Sequence, residues 1–440
     1  MATDQVQNRE KENPWDEWET ESMSPLLVTS VADVVPETRS EIIEKIESGL
    51  VHVNRFINTP VIIKYGVSFV LQSGASLVRS SKSVRSADNV AASARASAEA
   101  TRHLALVLSD APLDKKNQLG WEPYRLKLEQ KQKQMNEGRQ RDRKAHWSES
   151  TWELVQTAAR LSKEVYNKYP MSEGIIFEAQ GDSKATIVTS QNHNGHGLLV
   201  VAIKGSESRD DWLLNFNGEP TESPYSKKLL DGTMKWHKGF LHVASVMDPT
   251  IVAAIKDVRN EQPDINTILF TGHSAGGAIA QIFLAASNSP GTECYKAVAG
   301  CSVSCITFGC PPVASKPIPP AGSGEFIAVI NDDDPVPLAQ EAYIKTLIDV
   351  YTLDKKSFNE KHKPNSGAAI HPEPALRVSG DCIVLKDVDP DAEDDTSGYE
   401  ALEVPSEDIE KSLFGNPLAH MMDEYLRRLA AIASQYRGGS

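Results

Sequence analysis

The sequence predicts an α/β fold: a mostly parallel central sheet with helices on both faces, preceded by a helical N-terminal region. Three observations carry that expectation. From about residue 150 onward, short apolar runs of strand length alternate with segments of helical periodicity, the pattern of strand–helix units laid side by side in one sheet. One such run, Thr267–Thr271, passes through Gly-His-Ser-Ala-Gly into Ala275 and the small-residue helix AGGAIAQIFLAAS. In the N-terminal part the apolar positions instead recur mostly three and four apart, with Ile42, Ile43, Ile46, Leu50, Val53 and Ile57 forming a helical stripe.

In chain order, residues 1–25 are acidic and polar, with Trp15 and Trp18 their only aromatic groups, and read as a disordered acidic tail. Residues 26–145 read as the helical N-terminal region with a basic linker. Pro60 interrupts its stripe, and Val61–Val78 is the most apolar window of the chain. Lys64, Gly66, Gln72 and Gly74 break that window up, whereas a membrane span needs ~20 largely apolar residues; no span is expected. Arg79, Lys82, Arg85, Arg95 and Arg102 follow, against Asp88 and Glu99. Two readings stay open here: a helical hairpin packed on the following domain, or peripheral contact with a membrane or lipid droplet through residues 40–105. Residues 124–144 are strongly charged and net basic, which suits a solvated helix or linker.

Residues 146–438 carry the α/β pattern. Trp152 lies in its first helix. Ala185–Ser190 and Gly197–Ile203 read as a hairpin around Asn192–Gly195, with His193 and His196 solvent-exposed in the turn. Phe326–Ile330 and Asp381–Leu385 read as further strands. The acidic loop 387–400 lacks the glycine and glutamate positions of an EF-hand. Five cysteines, at 294, 301, 305, 310 and 382, lack paired C-x-x-C spacing, so reduced buried thiols are expected and metal is not. A net charge of −14 excludes a pervasive basic surface and argues against nucleic-acid binding. The N-terminus has no basic n-region followed by an apolar h-region, so an intracellular, cytoplasmic protein is expected, membrane-associated if residues 40–105 contact lipid.

The segment Gly272-His273-Ser274-Ala275-Gly276 fits the G-x-S-x-G elbow of serine hydrolases. A serine on a sharp strand-to-helix turn needs room around its backbone, which Gly272 and Gly276 leave clear. The turn lifts the Ser274 hydroxyl out of the sheet and aims helix N-terminal N–H groups at a developing oxyanion. The alternative is a glycine-rich turn with no chemistry; the strand before and the helix after favour the catalytic reading.

A nucleophilic serine needs a base, and the base an orienting acid. After such an elbow the chain order is Ser, then Asp or Glu, then His. Asp332, Asp333 and Asp334 follow the Phe326–Ile330 strand at its C-terminal end, where α/β sheets keep their active sites. A solvated acidic turn is the alternative. Asp334 is favoured because the rigid Pro335-Val336-Pro337 fixes its direction. Downstream histidines are His362 in a lysine-rich stretch, His371 in a proline-flanked loop, and His420 at the start of a helical segment after Gly415-Asn416-Pro417. His420 and His371 both remain candidates from position alone.

With these residues in hand, residues ~150–435 resemble the fungal-type class 3 lipases, which have an α/β-hydrolase fold. The ordered blocks are Leu199–Ser206, Asp211–Asn215, His237–Phe240, the elbow, Thr307–Pro311, Asp334–Pro337, and His420 with Tyr425. The resemblance implies Ser274 as nucleophile, His420 rather than His371 as acid/base and Asp334 as its orienter. It implies backbone N–H donors at Ser206 and Ala275 for the oxyanion, and a lid over 207–217 carrying Trp212, Leu213 and Leu214; ordinary core packing of these apolar residues is the alternative. Lys204, Ser206 and Pro312 depart from the family's frequent Arg, Thr and basic residue. The implied activity is hydrolysis of acylglycerols or related lipid esters through an acyl-enzyme, with no cofactor. A soluble short-chain esterase or acyltransferase, and a non-catalytic lipase-like scaffold, are the competing readings.

Overall fold

The computed structural model describes residues 126, 128, 129, 131, 132, 143–167, 174–205, 220–352, 358, 373–388 and 398–437. The chain divides into two units, 1–99 and 100–440, and every described residue belongs to the second. The acidic tail and most of the helical N-terminal region therefore lie outside the described residues, as do Ser206, Trp212, Leu213, Leu214, His362 and His371.

The elements, in order, are β1 (Arg143–Lys144), α1 (Glu149–Glu164), β2 (Ile175–Phe177), β3 (Thr186–His193), β4 (His196–Ile203), β5 (Pro220–Thr221), β6 (Trp236–His237) and α2 (Lys238–Glu261). There follow β7 (Ile265–His273), α3 (Ala275–Ser287), β8 (Ser302–Phe308), β9 (Phe326–Asn331), α4 (Glu341–Thr352), β10 (Asp381–Asp387), β11 (Tyr399–Glu403) and α5 (Met422–Arg437). Strand order in the main sheet is β1-β11-β10-β9-β8-β7-β4-β3-β2, with β5 and β6 forming a separate ribbon. The central strands β4, β7, β8, β9 and β10 run parallel. Antiparallel strands flank them on both sides. This is the α/β-hydrolase type of sheet that the sequence predicts, with the parallel order confined to its middle.

Period-two alternation explains why helices cover both faces. In β4, Leu199, Val201 and Ile203 enter one apolar cluster with α2 and α3, built on Phe240, Leu241, Ile255, Ile279 and Phe283. Leu198, Val200 and Ala202 enter the opposite cluster with α1 and α5, built on Val155, Leu161, Tyr425 and Leu429. A strand buried on both faces reads as the continuous run LLVVAI, as parallel sheets require. α3 is buried along its whole length, so its sequence is small or apolar on every side. Across the sheet–helix boundary, Phe270 of β7 stacks on Phe283 of α3 with centroids 5.7 Å apart.

The β3–β4 hairpin forms as expected. Asn194 and Gly195 both take positive φ, 53° and 80°, the two-residue turn whose twist matches the strands. His196 is exposed, but His193 turns inward and its Nε2 lies 3.2 Å from Ser150 Oγ. The stretch read as a solvated helix or linker is helical at residues 126, 128, 129, 131 and 132, and it is less solvated than expected. Arg143 and Lys144 pair with Glu403 and Leu402, and Leu128 is 1% exposed. High charge density signals exposed side chains, and those of β1 are exposed; its backbone pairing leaves no trace in composition.

Truncating Phe283 to Ala removes the stack on Phe270 and opens a cavity on a helix that has no solvent side to relax into. The expected cost is about 3–5 kcal/mol, read as a shift in urea midpoint with an unchanged slope.

Candidate active site

Ser274 sits between β7 and α3 with φ 56° and ψ −129°, a left-handed conformation that a side-chain-bearing residue avoids unless its surroundings force it. Its N–H donates to Phe308 O at 2.9 Å, which ties the turn to the end of β8. A Cβ on Gly276 would lie 2.9 Å from backbone carbons of Ile203 and Lys204. The elbow glycine thus supplies space for close helix–strand approach, while Ser274 itself carries the strained angle. Ala275 opens α3, so its N–H belongs to the helical first turn that has no intrahelical acceptor. Gly205 lies against the Ser274 side chain; Ser206 follows it in sequence, outside the described residues.

Asp334 comes from the turn after β9 and is wholly buried. Its Oδ2 accepts from His420 Nδ1 at 2.9 Å and from Tyr425 Oη at 2.6 Å, and its Oδ1 accepts from Val336 N–H at 2.9 Å. Burial alone would push this carboxyl up. His420 beside it and the donated hydrogen bonds outweigh burial and hold it below the usual carboxylate range. A carboxylate can only accept, so Nδ1 of His420 carries the proton and Nε2 carries the basic lone pair. His420 ends a short 3₁₀ turn, Pro417–His420, and the helix α5 starts at Met422; the sequence reading placed His420 at the helix start itself.

Gly309, in the Thr307–Pro311 block, is where the backbone passes this pair. It has φ +54°, and a Cβ there would lie 2.6 Å from Asp334 Oδ2 and 2.9 Å from His420 Nδ1. Only glycine meets both conditions.

Further residues join the site without having been singled out from sequence. His273, next to the serine, is fully buried; its Nε2–H donates to His420 O at 2.7 Å and its Nδ1 lies 3.1 Å from Tyr166 Oη. Since a carbonyl only accepts, the tautomer is fixed and Nδ1 accepts from the tyrosine. Burial, with His420 nearby, brings the His273 pKa down to about 3, so it stays neutral. Its ring lies 4.5 Å, centroid to centroid, from that of His420. Asn331, the last residue of β9, donates its side-chain amide to Ala419 O at 2.7 Å, fixing the residue before His420. Tyr425, part of the recognised blocks, accepts from Asn331 N–H at 3.0 Å and donates to Asp334. The signal in sequence was proximity: His273 is next to Ser274, Asn331 lies three residues before Asp334 and Tyr425 five after His420.

Asp333 is the least expected member. It takes φ 75°, is half-buried, and accepts at Oδ1 from Gln132 Nε2 at 2.6 Å and Gly415 N–H at 2.8 Å. Burial pushes its carboxyl up to about 7, with the neighbouring Asp332 adding to the effect against those two hydrogen bonds.

The buried Asp334–His420 pair is tied by the His273–His420 O bond to the residue next to Ser274, and a histidine so paired has the chemistry to accept a proton. Among the described residues no cluster of three or more His, Cys, Asp and Glu could hold a metal ion, and the five cysteines are free.

The family described as lipase (class 3) matches residues 200–343, a span that takes in Gly205, Ser274, Gly309 and Asp334 and stops short of His420. A stretch of 101 residues, 20% of this chain, is 28% identical to LIH1, a candidate lipase of Saccharomyces cerevisiae. A stretch of 149 residues, 33% of this chain, is 28% identical to the secreted mono- and diacylglycerol lipase 1 of Fusarium solani. These matches span 30% and 40% of the two relatives' own lengths. Among solved structures, a triacylglycerol lipase from Penicillium expansum is similar over 62% of this chain and 90% of its own, at 14% identity and a TM-score of 0.42.

Two outcomes are expected from this geometry. Gly309→Ala combines a left-handed strain of roughly 1–2 kcal/mol with displacement of the Asp334–His420 pair, so the downfield proton resonance of His420 Nδ1 should disappear while far-UV dichroism is retained. Asp333 has a raised folded pKa, so the stability it contributes is present below pH ~4 and lost as pH rises through about 7. Asp333→Asn, which keeps the Oδ1 acceptor, should remove that part of the decline, measured as the difference in unfolding free energy between the two proteins from pH 4 to pH 8.

Proposed function

We propose that the protein is a serine carboxylic-ester hydrolase, a lipase acting on acylglycerols or related lipid esters, a reading supported by the likeness of residues 200–343 to the class 3 lipases. The observation that carries this reading is the buried hydrogen bond from His420 Nδ1 to Asp334, beside a serine held at positive φ.

In this reading Nε2 of His420 takes the Ser274 proton as the serine oxygen attacks the ester carbonyl. The tetrahedral anion is met by the N–H groups of Ala275 and Ser206; losing one such donor raises a barrier by about 2.7–4 kcal/mol. His420 gives its proton to the leaving alcohol, and the acyl-enzyme is then cleaved by water that His420 deprotonates. Asp334 stays ionised throughout, since three donors hold its charge. Neutral His273 gives the imidazolium no like-charged neighbour, although its ring lies beside that of His420.

Apolar surface at the site suits an acyl chain. Met421, next to His420, is 39% exposed. The segment carrying Trp212, Leu213 and Leu214 supplies the lid in this reading, hiding the acyl cleft in water and opening at a lipid surface. Residues 40–105, with an apolar window followed by basic residues, supply peripheral contact with that surface.

Fatty-acid release from a short-chain triacylglycerol, raised through its solubility limit, tests the proposal. A sharp rise once droplets form, lost by roughly 10⁴-fold or more in Ser274→Ala, is the expected result. A simple saturating curve would identify a soluble esterase, and no release with no labelling of Ser274 by a serine-reactive phosphonate would overturn the enzyme reading.

A further inference from the structure

Gln132 lies on a short helical segment ahead of the sheet, in the stretch whose charge suggested a solvated linker. Three of its described residues face the domain. Leu128 is 1% exposed and Lys131 7% exposed, while Leu126 is 50% exposed. Positions 128, 131 and 132 are spaced three and four apart, one face of a helix. Lys131 lays its Nζ 4.6 Å from the centre of the Phe358 ring, so its stem is buried and its charge rests on an aromatic face.

The Gln132 amide uses its two N–H groups on two different segments. One goes to Asp333 Oδ1 at 2.6 Å, the other to Leu413 O at 2.8 Å. Asp333 belongs to the turn that presents Asp334, and Leu413 to the turn that leads through Gly415 and Asn416 to His420. Those two turns are also joined directly: Gly415 N–H donates to Asp333 Oδ1 at 2.8 Å and Asn416 N–H to Asp333 O at 2.9 Å. Asp333 is therefore the hub between the segment carrying the acid and the segment carrying the base, and Gln132 closes the joint from outside the sheet.

We infer that Gln132 is a positioning residue: the segment ahead of the hydrolase sheet clamps the Asp333 turn to the Leu413–Asn416 turn and so aligns Asp334 with His420. It touches neither substrate nor the reacting atoms, and acts through the two turns it joins. Side-chain chemistry at position 132 is demanding. A glutamate would supply no donor and would set a second acidic group against Asp333, and an alanine would leave a half-buried carboxyl oxygen and a carbonyl each short of a donor. The inference rests on the triad reading above for its effect on rate, while the alignment itself is visible without turnover.

The experiment uses the full chain with Gln132→Ala, Asp333→Ala, the double variant and Asp333→Asn, each scored for kcat and KM on a soluble short-chain ester. Rates are divided by the concentration of Ser274 that a phosphonate titrates, so a loss of folded protein does not count. Misaligning the acid–base pair should lower kcat in Gln132→Ala by roughly 10- to 100-fold with KM little changed. Asp333→Ala should match it, and the double variant should be no worse than Asp333→Ala alone, because both remove one joint. Asp333→Asn, which keeps the Oδ1 acceptor, should lose far less. The His420 Nδ1 proton resonance should shift or broaden in Gln132→Ala. A kcat per titrated site unchanged in Gln132→Ala, or strictly multiplicative losses in the double variant, would overturn the clamp. If the wild type neither hydrolyses esters nor takes the phosphonate, the hydrolase reading fails; the resonance then decides the clamp alone, and its persistence unchanged in Gln132→Ala overturns it.

Discussion

A full negative charge buried at Asp334 is the constraint around which the site is arranged. Taking an unpaired carboxylate out of water is prohibitively unfavourable, so both of its oxygens need donors. The three donors come from three places: Val336 two residues on, Tyr425 in α5, and His420 at the end of a 3₁₀ turn. Satisfying one charge therefore draws together the end of β9, the last helix and the segment before it. Removing any donor would disturb the charge and the two neighbours that share it, as expected of a coupled polar network.

Steric economy around the pair has the same origin. The β8 end must pass within contact of Asp334 Oδ2 and His420 Nδ1, and only Gly309 leaves room. His273, though adjacent to the serine, spends both ring nitrogens on Tyr166 and the His420 carbonyl. Its neutrality follows from burial, with the nearby His420 adding to the effect. Two imidazoles thus lie 4.5 Å apart, centroid to centroid, and His273 is the fixed and uncharged one.

Much of this was legible in the sequence for identifiable reasons. The elbow was readable because a strand, a serine between glycines and a small-residue helix are contiguous. β4 was readable as a fully buried strand from the unbroken run LLVVAI. Asp334 was separable from Asp332 and Asp333 because Pro335 and Pro337 follow it. What escaped notice was long-range or polar. Gln132 and Asp333 are 201 positions apart, and nothing local marks either as a partner. Lys131 and Leu128 were hidden by the charge around them, since a mean over a basic stretch cannot separate one buried helix face from three exposed ones. Asp333 lies in the acidic turn that the sequence shows, but its left-handed φ and its hydrogen-bond partners involve contacts the segment itself does not contain.

Chain order has a consequence for when the site comes into being. The serine's strand β7 and helix α3 are made well before the turn that carries Asp334, and His420 and Tyr425 emerge only after every strand of the main sheet. Because synthesis runs from the N-terminus, β4, β7 and β8 around Ser274 exist before Asp334 is polymerised, and His420 follows the whole sheet. On the proposed hydrolase reading the site is thereby completed only just before the last helix, and a chain that ends before residue 420 holds Ser274 without His420.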